Sequence, residues 1–221
     1  MRTTAVLPIK SFARAKQRLG DAVGDSEREQ LAAAMVSDVL AALAAVPEIT
    51  DVVVVTAEPL AARAAEDAGA SVVDDPDEAG QSAAAVRGID AALTLGAERA
   101  LLVPGDCPIV DPDELSRLLG DTSRAPSVVI VPDRHGSGTN ALLLTPPRAV
   151  APSFGAGSFA RHAARAHAAG ATVKVRDLPS LGLDVDTPDD LAALRSALAA
   201  RPATAARTRA VLDRLVPAGA R

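Results

Sequence analysis

The chain has 221 residues, 48% of them hydrophobic, and a formal net charge of −5. That length allows one large or two small domains and supplies a sizeable core. Lacking Trp, Tyr and any dense Lys/Arg cluster, it offers no surface of the kind that binds nucleic acid, and no apolar run approaches a membrane span.

Taken in order, Ala5–Ile9 reads as a short buried strand, followed by a polar stretch over Lys10–Asp25. Ser26 and Glu29 have capping-box spacing and predict a helix to about Ala45, closed by Pro47. Asp51–Thr56, with four consecutive valines, is a strand. Glu58–Ala68 is a helix ended by Gly69, and Ala70–Val73 another strand. An acidic loop spans Asp74–Gly80, and Gln81–Leu95 is a helix stopped by Gly96. Ala100–Val103 is a strand. Asp111, with Pro112 after it, caps the next helix. Ser127–Val131 and Asn140–Leu144 are strands flanking the loop PDRHGSGT. A helix over Ser158–Ala169, a strand over Thr172–Val175 and a helix over Thr187–Ala199 follow.

Strands alternating with helices predict βαβ units and a mostly parallel sheet, hence a single-domain α/β fold. No domain linker stands out. The expected division is a catalytic domain over 1–200 and a C-terminal extension over 201–221. In the extension, Ala203–Val216 reads as a peripheral helix with its basic residues on a solvated face. The N-terminus, MRTTAVLPIK, turns polar too soon for a secretory signal, and the single cysteine, Cys107, fits a reducing compartment. A cytoplasmic protein is the expectation.

Two acidic clusters fall where buried-looking strands run out. LLVPGDCP places Asp106 beyond a sharp Pro-Gly turn. GLDVDTPDDL carries Asp184 and Asp186, which share one side if the segment is extended. Ligands of open α/β sheets bind outside the carboxyl ends of strands. Carboxylates gathered there suit Mg²⁺, and Mg²⁺ suits phosphates. The plainer reading makes Asp106 a turn acid and Asp186 part of a helix cap.

Lysine is scarce, with only Lys10, Lys16 and Lys174, and two of these share the stretch PIKSFARAKQRL. Lys10, Lys16 and Arg18 follow the first strand, where they are placed to neutralise a phosphate tail; Lys16 and Arg18 read equally as a solvated helical turn. HGSGTN, residues 135–140, is either an anion cradle offering Thr139 and Asn140 or a plain hairpin turn. In FGAGSFARH, Gly155 and Gly157 precede Ser158 as a helix cap. That is an anion site or an ordinary capped helix with Phe154 and Phe159 as a staple. Gly80, Gln81 and Ser82 open a helix and are candidates for a base edge or ribose. Cys107 and the histidines lack metal spacing, and no GxxxxGK[ST] motif occurs.

Together PIKSFARAKQRL, LLVPGDCP, GSGTNALLL, FGAGSFARH and GLDVDTPDDL resemble the guanylyltransferases of coenzyme F-420 biosynthesis over roughly residues 3–199. These lie within the nucleotidyltransferases of GT-A-like fold, a Rossmann-like three-layer sandwich. The resemblance implies transfer of GMP from GTP to a small phosphorylated three-carbon acid. It implies Mg²⁺ on Asp106, Asp184 and Asp186, and Lys10 and Lys16 with Asp106 as the catalytic set. It further implies Thr139, Gly155 and Ser158 on the phosphorylated acid, with Arg18, Gly80 and Gln81 toward the nucleotide. Many relatives carry a Gly-Leu-Asn type sequence where this chain has Gly80-Gln81-Ser82, which leaves the guanine contacts open. Branches of the family use 2-phospho-L-lactate, phosphoenolpyruvate or 3-phosphoglycerate. The Ala/Arg-rich composition looks actinobacterial and favours phosphoenolpyruvate. A reactive product suggests transient hand-off to the next enzyme. Other readings are a cytidylyltransferase of the molybdenum-cofactor type, which shares the DVDTPxDL ending, and a non-catalytic Mg²⁺-binding α/β module.

Overall fold

Successive strand side chains enter different cores, and this decides the layers. The structure, a computed structural model, describes residues 1–12, 19, 24–120 and 124–215. Lys16 and Arg18 lie outside the described residues. The strands are β1 (Thr3–Ile9), β2 (Ile49–Thr56), β3 (Ser71–Asp74), β4 (Arg99–Leu102), β5 (Ser127–Pro132), β6 (Thr139–Thr145) and β7 (Thr172–Val175). Between and after them come α1 (Asp25–Ala44), α2 (Pro59–Asp67), α3 (Gln81–Thr94), α4 (Pro112–Gly120), α5 (Ser158–Ala168), α6 (Pro188–Ala200) and α7 (Ala206–Arg214).

The sheet runs β3-β2-β1-β4-β6-β5-β7. All pairings are parallel except those of β6 with β4 and β5. The exception has a simple cause. Only a short turn joins β5 to β6, and a short turn can return a chain antiparallel but cannot cross it over. On one face, Leu7, Val54, Leu101 and Leu143 meet the apolar sides of α1, α2 and α4. On the other, Val6, Val53, Leu102 and Leu142 meet α3 and α5. This is the three-layer α/β sandwich expected from the alternation of strands and helices.

Chain order leaves β1 toward β2 on one side and returns to β4 on the other, so the carboxyl ends of β1 and β4 flank the crevice where strand order reverses. The helix ends show where local signals and structure part. α1 begins two residues earlier than the Ser26 spacing predicts. Gly24 is its N-cap, and the Glu27 carboxylate accepts the Gly24 N–H at 3.1 Å. Asp111 caps α4 as read, accepting from Asp113 N–H at 2.8 Å. Thr187 caps α6 as read, with Asp190 closing the box.

A third core joins Leu31 and Met35 of α1 to Leu191, Leu194 and Leu198 of α6 and to Val211 and Leu212 of α7. The last helix is therefore not peripheral. Its basic Arg207 and Arg214 face solvent, but Thr208, Val211 and Leu212 are buried. Full burial of each of those two apolar side chains contributes roughly 1.5–3 kcal/mol. Asp38 of α1 accepts the Thr208 N–H at 2.7 Å and the Arg207 N–H at 3.2 Å, tying the start of α7 to the helix that walls the crevice.

Candidate active site

A cavity of about 280 Å³ opens at the carboxyl ends of β1 and β4. Pro8, Ile9 and Lys10 form one side, Pro104, Gly105 and Asp106 another, Ala32, Met35 and Val36 of α1 the floor, and Gln81 and Asp186 the rim. A small recess continues from it past Lys10 and Gln81 to Gly80, Asp75 and Glu78. The turn at Gly105 is crowded. A Cβ there would lie 2.3 Å from Ile9 Cδ1 and 3.1 Å from Val36 Cγ2, so glycine lets the chain pass close to β1 without displacing those side chains, and Asp106 lines the same cavity as Lys10. The segment after Lys10 is held by two carboxylates. Ser11 N–H donates to Glu78 Oε1 and Phe12 N–H to Glu58 Oε2, both at 2.9 Å.

The two acidic clusters come together, though not in the way their sequence suggests. The segment before Asp184 is no strand of the sheet; it is an extended crossover that returns from β7 over the strand ends. It is fixed where Val185 N–H donates to the Asp106 carbonyl at 3.2 Å. Val185 is fully buried, while Asp184 and Asp186 are half-buried on the other side, as the alternation of an extended chain requires. Burial, then the negative charge of Asp106, raises the Asp184 carboxyl above its ordinary range. Asp186 adds to this, and the residue's own backbone and the Asn140 amide oppose it. The three carboxylates therefore lie within electrostatic reach of one another, an arrangement that a cation would relieve. Among the described residues, no three His, Cys, Asp or Glu side chains form a ready-made metal cage.

Asp190 braces this cluster from behind. It accepts from Asp186 N–H at 3.1 Å, from Thr187 N–H and Oγ1–H at 2.7 Å, and pairs with Arg134 at 2.5 Å. Burial alone would raise its pKa. The hydrogen bonds from Thr187 and the backbone, with Arg134, outweigh burial and hold it below the usual carboxylate range.

The hairpin between β5 and β6 takes the plainer of its two readings. Asp133 Oδ1 accepts Ser137 N–H at 2.9 Å and its carbonyl accepts Gly136 N–H at 3.0 Å. Those two amides are occupied by the turn itself, as in a plain hairpin. What it delivers is the start of β6, where alternate residues point apart. Asn140 donates to the Leu181 carbonyl at 2.6 Å and toward Asp184 Oδ1 at 3.4 Å. Thr139 turns instead to α5, with Oγ1 3.0 Å from His162 Nδ1.

At the start of α5 the cap is Gly157, in the left-handed region at φ +70°, and not Ser158. Ser158 is the first helical residue and buried. Its N–H donates to the Gly155 carbonyl at 3.0 Å, and Phe159 N–H donates to the Ser137 carbonyl at 3.2 Å. Two of the first helical amides are thus already engaged. Gly155 has φ +103°, where an L side chain is strained, and the turn carries Arg161 folded back on it. Thr139, Gly155 and Ser158 are brought to one locality by the Phe159–Ser137 and Thr139–His162 bonds, beside but outside the cavity lined by Lys10.

A family described as "Guanylyl transferase CofC like" matches residues 3–196. The chain belongs to this family. It is 50% identical over 217 residues to a phosphoenolpyruvate guanylyltransferase of Conexibacter woesei, covering 98% of this chain and 97% of the relative. It is 39% identical over 221 residues to one of Streptomyces coelicolor, covering 99% and 100%. Among solved structures, it is similar to a putative nucleotide-diphospho-sugar transferase from Desulfovibrio desulfuricans, with TM-score 0.75, 18% identity and 97% of each chain covered. It is also similar to a CMP:2-keto-3-deoxy-manno-octonic acid synthetase complexed with CTP, with TM-score 0.63, 15% identity, and 90% of this chain and 99% of the other covered. These likenesses support the three-layer α/β fold.

In this CofC-like chain, sequence reasoning missed three groups that hold the site. Ser82, a candidate with Gly80 and Gln81 for a base edge or ribose, has a structural partner the sequence does not show: its Oγ accepts Phe154 N–H at 2.9 Å and so ties α3 to the loop before α5. Asp75 is buried beside the recess, its Oδ1 3.4 Å from Arg87 Nε. His162 lies on the same helical face as Ser158 and Ala166, all buried. That spacing of four was readable as an inward-facing polar residue; nothing local pointed to its partner Thr139.

Proposed function

We propose that this chain is a phosphoenolpyruvate guanylyltransferase that joins GMP from GTP to phosphoenolpyruvate, giving enolpyruvyl-diphospho-guanosine and pyrophosphate in coenzyme F-420 biosynthesis. The observation that carries the proposal is the meeting of Asp106 and Asp186 at a cavity that also exposes Lys10 and Gln81, with Asp184 close enough to feel both charges. Full-length relatives bearing that name support the choice of substrates.

The reaction forms a bond between a phosphate oxygen of the acid and the α-phosphorus of GTP, and breaks the bond from that phosphorus to the departing pyrophosphate. A phosphate monoester has its second pKa at about 6 and is already mostly dianionic at neutral pH, so no general base is needed. His162, fully buried and doubly hydrogen-bonded, agrees with that. The obstacle is charge: two polyanions must meet. Lys10, at the end of β1, offsets charge on the triphosphate. Gly80 and Gln81, on the recess, face the nucleoside. Thr139, Gly155 and Ser158 hold the acid in line for attack.

Asp106, Asp184 and Asp186 are hard oxygen donors that repel one another, which fits Mg²⁺. That ion takes one or two carboxylates and completes its octahedron with phosphate oxygens, so a preformed cage is unnecessary. When bound, it would neutralise charge on the transferring phosphoryl group.

The test is one set of incubations: GTP or CTP, Mg²⁺ and, separately, phosphoenolpyruvate, 2-phospho-L-lactate or 3-phosphoglycerate, with products resolved by mass. A guanylylated product and stoichiometric pyrophosphate are expected with phosphoenolpyruvate. Product with phospholactate alone overturns the acceptor. Product only with CTP overturns the nucleotide.

A further inference from the structure

His162 is fully buried on α5, and both ring nitrogens are engaged. Ser153 N–H donates to Nε2 at 2.8 Å. A backbone amide can only donate, so Nε2 must present its lone pair. Burial, then the charges of Arg161 and Arg165, lowers the His162 pKa to about 4, so at neutral pH the ring is uncharged. An uncharged ring with Nε2 bare carries its hydrogen on Nδ1. Nδ1 lies 3.0 Å from Thr139 Oγ1. The histidine is therefore the donor in that pair and the hydroxyl oxygen the acceptor.

This polarity has a consequence for Thr139. With Oγ1 accepting from the ring, its own hydrogen is left to donate elsewhere. A hydroxyl meeting an anionic oxygen has to donate; turned the other way, it would present a lone pair to negative charge. The opposite tautomer of His162 would impose that wrong polarity. We propose that His162 is a positioning residue, locked by Ser153 N–H in the Nδ1–H tautomer so that the Thr139 hydroxyl is held as a donor toward an anionic oxygen of the phosphorylated acid.

The proposal rests on the reading of Thr139 as an acid-binding position. The lock is well braced. Arg161 bonds the Ser153 hydroxyl at 3.2 Å and the Ser153 and Phe154 carbonyls at 3.0 and 3.3 Å. The Phe154 ring stands edge-on to the imidazole, centroids 5.2 Å apart. Phe154 N–H in turn reaches Ser82 of α3. Loop, hairpin and helix thus meet on one imidazole.

The test uses the intact protein with ¹⁵N-histidine labelling and a pair of substitutions. In the NMR spectrum at neutral pH, a histidine with protonated Nδ1 and bare Nε2 is expected, and its signal disappears in His162→Gln. An asparagine amide nitrogen overlays Nδ1, whereas a glutamine amide reaches the place of Nε2. His162→Asn keeps the donor to Thr139, and His162→Gln keeps only a partner for Ser153. His162→Gln should raise KM for phosphoenolpyruvate about tenfold, leaving kcat and the KM for GTP within about threefold. His162→Asn should restore KM to within about threefold of the wild type. Adding Thr139→Val to His162→Gln should cost nothing further, since both remove one interaction.

An Nε2–H tautomer or an imidazolium overturns the proposal without any variant needing to fold. So does an unaltered KM in His162→Gln, or equal damage in Asn and Gln. A purely structural role would move both KM values and the melting temperature together. A wild type that ignores phosphoenolpyruvate but accepts another of the three acids overturns the substrate reading alone, and the KM split is then read with that acid. A wild type that turns over none of them overturns both the functional reading and the role assigned to Thr139.

Discussion

The two sides of the site are built differently. On the β1–β4 side, charge is exposed around a cavity: Lys10 is open to solvent, Asp106 and Asp186 line the wall, and Asp184 is held against like charge. On the β6–α5 side, polar groups are largely buried and paired within the fold: Thr139 with His162, His162 with Ser153, Arg161 with the carbonyls of residues 153 to 156. The first side gathers like charge around Asp184, which a cation would relieve. The second is satisfied and rigid, suited to holding a small acid at a fixed angle. Like charge is concentrated where charge must be handled, and order where position matters.

The largest expected effect breaks the first side. Asp184→Asn, Asp106→Asn and Asp186→Asn should each lower pyrophosphate release by about 100-fold or more at saturating Mg²⁺, the scale of losing one group that stabilises transition-state charge. Asp184→Asn should do so while the melting temperature in the presence of a chelator stays at or above that of the wild type. It removes a half-buried carboxylate from the field of Asp106 and Asp186, and its amide oxygen can still accept from Asn140. Near-full turnover would remove the carboxylates from the mechanism. A large drop in melting temperature would mean that they hold the fold.

The next effect belongs to the ordered side and is read as stability against pH. His162 titrates near 4 in the folded chain and near 6.5 when unfolded, so between those values the unfolded state binds more protons. Stability from keeping it neutral is complete above about pH 6.5 and is lost progressively as pH falls toward 4. The full span is worth about 3 kcal/mol. Denaturant midpoints of wild type and His162→Gln across this window check it. The wild type should lose stability more steeply on acidification, and parallel curves would show that the ring is not held neutral.

How much of this was legible in the sequence follows the same division. The β1–β4 side could be read because its signals are local. A buried strand followed by Pro-Gly-Asp, or by a scarce lysine, announces a strand end whatever the rest of the chain does. The i, i+2 spacing of Asp184 and Asp186 also stood, even though the segment is a crossover and not a strand. Its alternation comes from Val185 entering the core. The β6–α5 side was legible only as glycine-rich loops, because its meaning lies in pairs far apart in sequence. Nothing near His162 names Thr139, and nothing near Ser82 names Phe154. Capping errors had a different origin. At Gly24 and Gly157 the backbone takes the cap position at glycine, and the nearby serines, better caps on average, fall inside the helix.

The smallest effect asks whether the two sides act as one. Ser82 sits one residue after Gln81, which lines the cavity, and its hydroxyl accepts Phe154 N–H from the loop that also carries Ser153 and Gly155. Ser82→Ala removes that bond and should cost about 1 kcal/mol of stability, a single neutral hydrogen bond. If the bond also transmits position, KM for GTP and for the acid should both rise, each by no more than about threefold. Ser82→Ala should then be non-additive with His162→Gln, because both loosen the same loop from opposite ends. Strict additivity, with KM for GTP unchanged, would mean that the ordered side positions the acid without reference to the nucleotide. Alignment for attack would then rest on the carboxylates alone.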